Sequence, residues 1–137
     1  PEAETISIQY FENNADLIEP SLAQLLTDDL RNRFTGQTSL VLVDRDGDLQ
    51  LEGEITGYKV TPRGIQSDDQ SALNRLTITV KVSYTNTVDP SKDFETSFSR
   101  FEDYNSDVGF STVKDGLIAV INAQLVDDIF NKAVVNW

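Results

Sequence analysis

One extended stretch, Leu49-Gln50-Leu51-Glu52-Gly53-Glu54-Ile55-Thr56-Gly57-Tyr58, constrains the rest of the chain most tightly. Leu49, Leu51 and Ile55 share one parity, while Gln50, Glu52 and Glu54 share the other. Alternation with period two puts one set on a dry face and the other on a wet face, as in a half-buried sheet strand. The phase slips at Gly57, because Tyr58 and Val60 continue on the opposite parity. A slip at a glycine predicts a β-bulge that bends the strand and re-aims its outer end. Next comes Thr61-Pro62-Arg63-Gly64, where the proline lacks a ladder donor and regular pairing is expected to stop.

The other elements fall into place around this strand. Ile6, Ile8 and Tyr10 alternate with Ser7 and Gln9 to give a first strand, ended by Asn13-Asn14. Pro20 suits a first helical turn. Leu22, Leu25, Leu26, Leu30 and Phe34 then repeat at helical spacing as far as Thr35, and Gly36 is a natural stop. Leu40-Val41-Leu42-Val43 is an apolar run, expected to be a short strand buried on both faces. Asp46-Gly47 signals a tight turn before the central strand. Asp44, Asp46 and Asp48 resemble the start of an EF-hand loop, but Leu49 stands where its glycine belongs and Ile55 where its bidentate Glu belongs. A solvated turn is the better reading.

The stretch from Pro62 to Asn74 is polar and too long for a simple hairpin link, so it is expected to be an irregular loop. Leu76, Ile78, Val80, Val82 and Tyr84 alternate without a break against Thr77, Thr79, Lys81, Ser83 and Thr85. This is the cleanest strand, and its outer face is rich in hydroxyls. Phe94, Thr96 and Phe98 open another strand, in which Phe101 and Tyr104 read as out of phase and predict a second bend, with these aromatics in the core. Thr112 and Asp115 fit a capping box. After them Ile118, Ile121, Leu125, Ile129 and Ala133 form a helical stripe, widened by Val126, Phe130, Val134 and Trp137. The expected fold is a single α+β domain over residues 1–137 with order β-α-β-β-β-α. Two amphipathic helices pack on one face of a roughly four-stranded sheet, leaving the far face wet.

Composition narrows the chemistry. The chain has no His and no Cys, which removes the usual general base, the thiolate nucleophile and the commonest metal ligands. The 23 acidic residues make adjacent carboxylates uninformative, and those in Asp28-Asp29 or Asp127-Asp128 point apart on a helix. No glycine-rich phosphate cradle is present. These features predict no enzyme, no cofactor and no metal. A net charge of −12 argues against a nucleic-acid partner, since phosphate binding needs clustered Lys and Arg. No run of 18 or more apolar residues exists to span a membrane as a helix. The chain opens on Pro1 and has no Met, so a processed or truncated form, without its signal or lipid-anchor region, is expected.

The residues thus describe a small α+β binding domain. Several stretches go further and resemble the LptE-type lipopolysaccharide-assembly lipoproteins in their Bacteroidetes form. They are Thr5 through Ala15, Gln37-Thr38-Ser39-Leu40, Gly47 through Tyr58, Ala72 through Val80, and Phe94 through Tyr104 with Phe98-Ser99-Arg100. The resemblance spans nearly the whole chain in the same order. It implies a non-enzymatic outer-membrane lipoprotein facing the periplasm, held by an acylated N-terminal cysteine that is absent here. Its implied partner is an LptD-like β-barrel, which it plugs while lipopolysaccharide is inserted into the outer leaflet, with lipopolysaccharide itself a further ligand. The alternative is a periplasmic lipoprotein that activates a cell-wall synthase or a secretion barrel. A monomer is expected in isolation. Under this resemblance the bent strand end and the 62–74 loop form the barrel-facing tip. The candidate partner-binding residues are Tyr58, Arg63, Gly64, Ile65, Arg75, Thr77, Thr79 and Lys81, with Arg63 and Arg75 the candidates for a phosphorylated lipid.

Overall fold

The protein is described by a computed structural model over residues 3–15, 17, 19–65 and 72–134, with the side chain of Ile65 outside that set. The strands are β1 (Thr5–Ile8), β2 (Glu12–Asn13), β3 (Val41–Val43), β4 (Leu49–Ile65), β5 (Ala72–Asn86) and β6 (Phe94–Asn105). The helices are α1 (Leu22–Gly36), between β2 and β3, and α2 (Phe110–Val134), after β6. The sheet runs β3-β1-β4-β5-β6, with the two-residue β2 pairing β4 beyond β1. The class is the expected α+β, with two helices against one sheet face, but the sheet has six strands rather than about four.

The core follows the sequence periodicities. Leu49, Leu51 and Ile55 of β4 and Leu76, Ile78, Val80 and Val82 of β5 are all fully buried. From α1 come Leu22, Leu26, Leu30 and Phe34, and from α2 Ile118, Ile121, Leu125 and Ile129, all in the same apolar cluster. Phe34 and Phe130 join the helices edge to face, 5.0 Å between centroids. Leu25, placed in the α1 stripe by spacing, is 45% exposed. Helix α1 starts at Leu22, so Pro20 lies in the preceding turn, and Ser21 makes no side-chain cap bond. Helix α2 starts at Phe110, two residues before the predicted cap; Thr112 sits in its first turn, its N–H donating to the Gly109 carbonyl. Trp137 lies outside the described residues.

The predicted bulge is present. Ile55 pairs with Val80 and Gly57 with Thr79, leaving Thr56 as the extra residue. A second shift, between Pro62 and Gly64, leaves Arg63 unopposed, and Gly64 takes φ +79°. The strand therefore does not stop at Thr61: β4 continues to Ile65 and β5 begins at Ala72. Among the described residues β1 and β2 pair β4 only as far as Ile55, so on that side no strand needs a donor from Pro62 and the proline is tolerated. The expected irregular loop is thus paired strand at 62–65 and 72–74, and its remainder, with Asp68 and Asp69, lies outside the described residues.

Two further expectations are corrected. Val41 and Leu42 are 60% and 40% exposed, because β3 is a three-residue edge strand rather than a buried one. Asp46-Gly47 is also no hairpin turn. Both β3 and β4 run parallel to β1 on its two sides, so the intervening residues 44–48 must cross over β1. At Gly47 the crossing is so close that a Cβ would lie 2.6 Å from the Ser7 amide nitrogen. Asp48 fastens it, its carboxylate accepting from the Glu4 and Thr5 amides at 2.8 and 3.3 Å.

Candidate functional site

The polar face of β4, β5 and β6, opposite the helices, gathers most of the predicted binding residues. Alternation on β5 puts Arg75, Thr77, Thr79, Lys81 and Ser83 on this side. Cross-strand register then sets Thr61, Arg75 and Asp103 in one row, and Lys59, Thr77 and Phe101 in the next. A third row holds Gly57, Thr79 and Ser99, and a fourth Glu54, Lys81 and Ser97.

At one end the face is acidic. Lys81 lies in a recess of about 310 Å³ with Glu12, Glu52, Glu54 and Glu95, and its ammonium is 3.7 Å from the Glu95 carboxylate. Both partners are well exposed, so the pair adds little stability. The middle is a hydroxyl surface. The Thr79 and Ser99 hydroxyls are 3.1 Å apart there, while at the acidic end Ser83 donates to Glu95 at 3.2 Å.

The far end is cationic and aromatic. Arg75 donates to both Asp103 carboxylate oxygens, from Nε at 2.8 Å and from Nη2 at 3.2 Å. Its guanidinium carbon also lies 3.7 Å from the Phe101 ring centroid, a cation–π contact that helps hold it over the sheet. Arg75 holds the Asp103 carboxyl below its usual range, helped by Arg63 nearby. Lys59 and Arg63 are exposed at this end. Gly64 has open space around it, while Ile65 is placed only as the strand partner of Ala72.

Tyr58 does not belong to this face. The extra residue Thr56 turns Tyr58 inward opposite Ile78, where it is 6% exposed. Burial pushes its hydroxyl pKa up to about 12, with Glu19, Tyr104 and Asp115 adding to the rise. Its oxygen has no hydrogen-bond partner among the described residues.

Sequence reasoning also misplaced Phe101. It is 48% exposed and faces outward, and β6 pairs β5 one-to-one with no bend. The signal was in the parity: Phe94, Phe98 and Tyr104 are even, Phe101 is odd, and Tyr104 is buried as its parity requires. The arrangement can hydrogen-bond, stack and pair charge. Among the described residues no cluster of acidic residues could hold a metal ion, and no helix is long and apolar enough to cross a membrane.

Comparison with known proteins places this geometry. The family model for LptE, described as lipopolysaccharide-assembly, matches residues 3–133. No curated protein matches the chain at a significant level. Among solved structures, the hypothetical protein CT253 from Chlamydia trachomatis is similar with a TM-score of 0.62 at 9% identity, covering 98% of this chain and 99% of its own. A minor lipoprotein from Acinetobacter baumannii gives 0.61 at 13% identity, covering 98% and 94%. The rare lipoprotein B from Shewanella oneidensis gives 0.58 at 15% identity, covering 93% and 92%. At these identities the structures establish the shared fold.

Proposed function

The chain belongs to the LptE family of lipopolysaccharide-assembly proteins, and on that premise we propose that it is a lipid-anchored outer-membrane subunit that plugs an LptD-like barrel from the periplasmic side. The family is non-enzymatic. The observation that carries the plug reading is the uncovered face of β4, β5 and β6, where a sheet otherwise packed on its helices presents hydroxyls and charges. A barrel lumen is polar and water-lined, so a partner surface of this kind matches it without burying unpaired polar groups. Arg63, Gly64, Ile65, Arg75, Thr77, Thr79 and Lys81 form the contact surface in this reading, and Phe101 and Asp103 join it. Tyr58 supports the surface from beneath. The cationic end, with Arg63 and Arg75, is the part suited to a phosphorylated lipid.

The test is a pull-down from native outer membranes with the full-length, tagged, lipidated protein. A large β-barrel recovered in stoichiometric amount, and lost when Arg75 and Phe101 are both replaced by Ala, supports the reading. Recovery of a cell-wall synthase, or of no barrel, overturns it.

A further inference from the structure

β6 is the last strand of the sheet, 12 residues long, and among the described residues no strand lies beyond it. Its pairing with β5 fixes which backbone groups that edge exposes. The Ser106 amide donates to the Ala72 carbonyl at 2.9 Å, one step beyond the pair Leu73 and Asn105 in an unbroken one-to-one register. In an antiparallel ladder, hydrogen-bonded and non-bonded pairs alternate. Counting back from Ser106, the even-numbered residues of β6 bond to β5. The amides and carbonyls of Ser97, Ser99 and Phe101 therefore point away from β5, along the open edge. A groove of about 600 Å³ runs beside residues 97–102, with Gln124 and Asp128 of α2 as its wall on the helix side.

Sheet edges are guarded by prolines, bulges or inward-pointing charges. β6 has no proline and no bulge. Its inward charges at the groove are Arg100 and Glu102. Arg100 does not guard the edge, because its Nε and Nη2 donate to the two Asp128 carboxylate oxygens, each at 2.8 Å. That pair compensates the charge and ties the side chain to α2. Glu102 forms no ion pair among the described residues. The helix side of the groove thus offers one uncompensated negative charge. On the other side of the edge stands Phe101, 48% exposed.

We propose that the β6 edge docks an extended segment of a partner protein, which adds a further strand to the sheet. The segment's backbone takes up the outward amides and carbonyls of Ser97, Ser99 and Phe101, and its side chains alternate between the two faces. The one beside Phe101 is apolar. Its neighbour in the segment, on the helix side, is Lys or Arg and meets Glu102. The chain's charge of −12 also favours a basic segment over an acidic one. β6 of a second copy supplies no free cation for Glu102, since its Arg100 is held by Asp128 in the same way. The docking edge is the rim of the sheet, not its open face, and does not rest on the plug reading.

Amide hydrogen exchange followed by NMR tests this, with a capped peptide of alternating Lys and Val as the probe. In the chain alone the Ser97, Ser99 and Phe101 amides exchange fast, and those of Phe98, Arg100 and Glu102 slowly. With the peptide bound, the three fast amides slow about tenfold once nine-tenths of the edge is occupied. A peptide of alternating Glu and Val leaves them fast. Two substitutions supply the second arm. Glu102→Lys weakens binding of the Lys–Val peptide about tenfold. Ser99→Pro does the same by removing an outward amide, at a position where an edge strand accepts proline. Circular dichroism confirms that each variant folds, and Glu102→Lys carries this arm alone if Ser99→Pro does not. Absence of binding, fast exchange at 97, 99 and 101 in the complex, equal binding of the Glu–Val peptide, or undiminished binding by Glu102→Lys overturns the proposal. No barrel enters the test, so its outcome is separate from that of the pull-down.

Discussion

Arg75 and Asp103 face each other across β5 and β6 in a two-pronged ion pair, with the guanidinium carbon over the Phe101 ring. Two hydrogen bonds and a ring beneath it fix this guanidinium on the open sheet face. Arg75→Ala is expected to lower the unfolding free energy modestly, since forked pairs exceed simple surface pairs but remain hydrated. It should also return the Asp103 pKa toward its ordinary value of 3.8. Denaturant unfolding and a carboxyl NMR titration measure the two effects, and an unmoved Asp103 titration would refute the assignment.

Acid should weaken the protein in part through the same pair and in part through Glu19 and Lys114. That second pair, at 3.0 Å, ties the approach to α1 to the N-terminal part of α2 and lowers the Glu19 pKa below 4.5, mainly through the Lys114 hydrogen bond. A carboxyl depressed by folding contributes stability above its unfolded pKa, and the contribution is lost as pH falls through the folded pKa. Asp29 acts in the opposite sense, because burial raises its pKa. Stability is therefore expected to fall between about pH 5 and pH 3, with a shallower fall in Lys114→Met. Identical slopes in wild type and variant would exclude the Glu19 contribution.

Alkali should act through Tyr58. Its hydroxyl pKa, raised from 10.0 to about 12, contributes stability below the unfolded value that is lost as pH rises through the folded one. Tyr58→Phe removes the titration and an unpaired buried oxygen, so it is expected to be neutral or stabilising by up to about 1 kcal/mol. Unfolding followed between about pH 9 and pH 12 should show a flatter profile in the variant. Loss of more than about 2 kcal/mol would instead reveal a bonded hydroxyl.

Two glycines should respond in opposite ways to alanine. At Gly47 a Cβ would meet the Ser7 amide and the Ile6 carbonyl carbon at 2.6 and 2.8 Å, and only backbone movement relieves that. Gly47→Ala is expected to cost about 2 kcal/mol or more. At Gly116, exposed within α2, nothing lies within 4 Å, and alanine should add about 0.5–1 kcal/mol through helix propensity. Thermal or urea unfolding of both variants checks the contrast, and a tolerated Gly47→Ala would contradict the tight crossing.

Whatever depends on neighbours within a few residues was legible in the amino-acid order. Period-two alternation marked β4 and β5 and assigned their faces, helical spacing marked α1 and α2, and the slip at Gly57 marked the bulge, because side-chain direction is a local property of the backbone. Parity also held the correct faces of Phe101 and Tyr104, although an expected bend obscured them. Which strands became neighbours was settled by the packed fold alone. Insertion of β1 between β3 and β4 put Val41 and Leu42 on an edge and turned Asp46-Gly47 into a crossing. The short reach of β1 and β2 along β4 leaves Pro62 opposite no strand on that side among the described residues, so β4 runs on. The open polar face itself, from Glu12 through Glu54 and Lys81 to Arg75, Phe101 and Asp103, draws on residues from four strands. Periodicity fixes which way each side chain points, but only strand order and register, set by burying all the apolar faces in one core, fix what it stands beside.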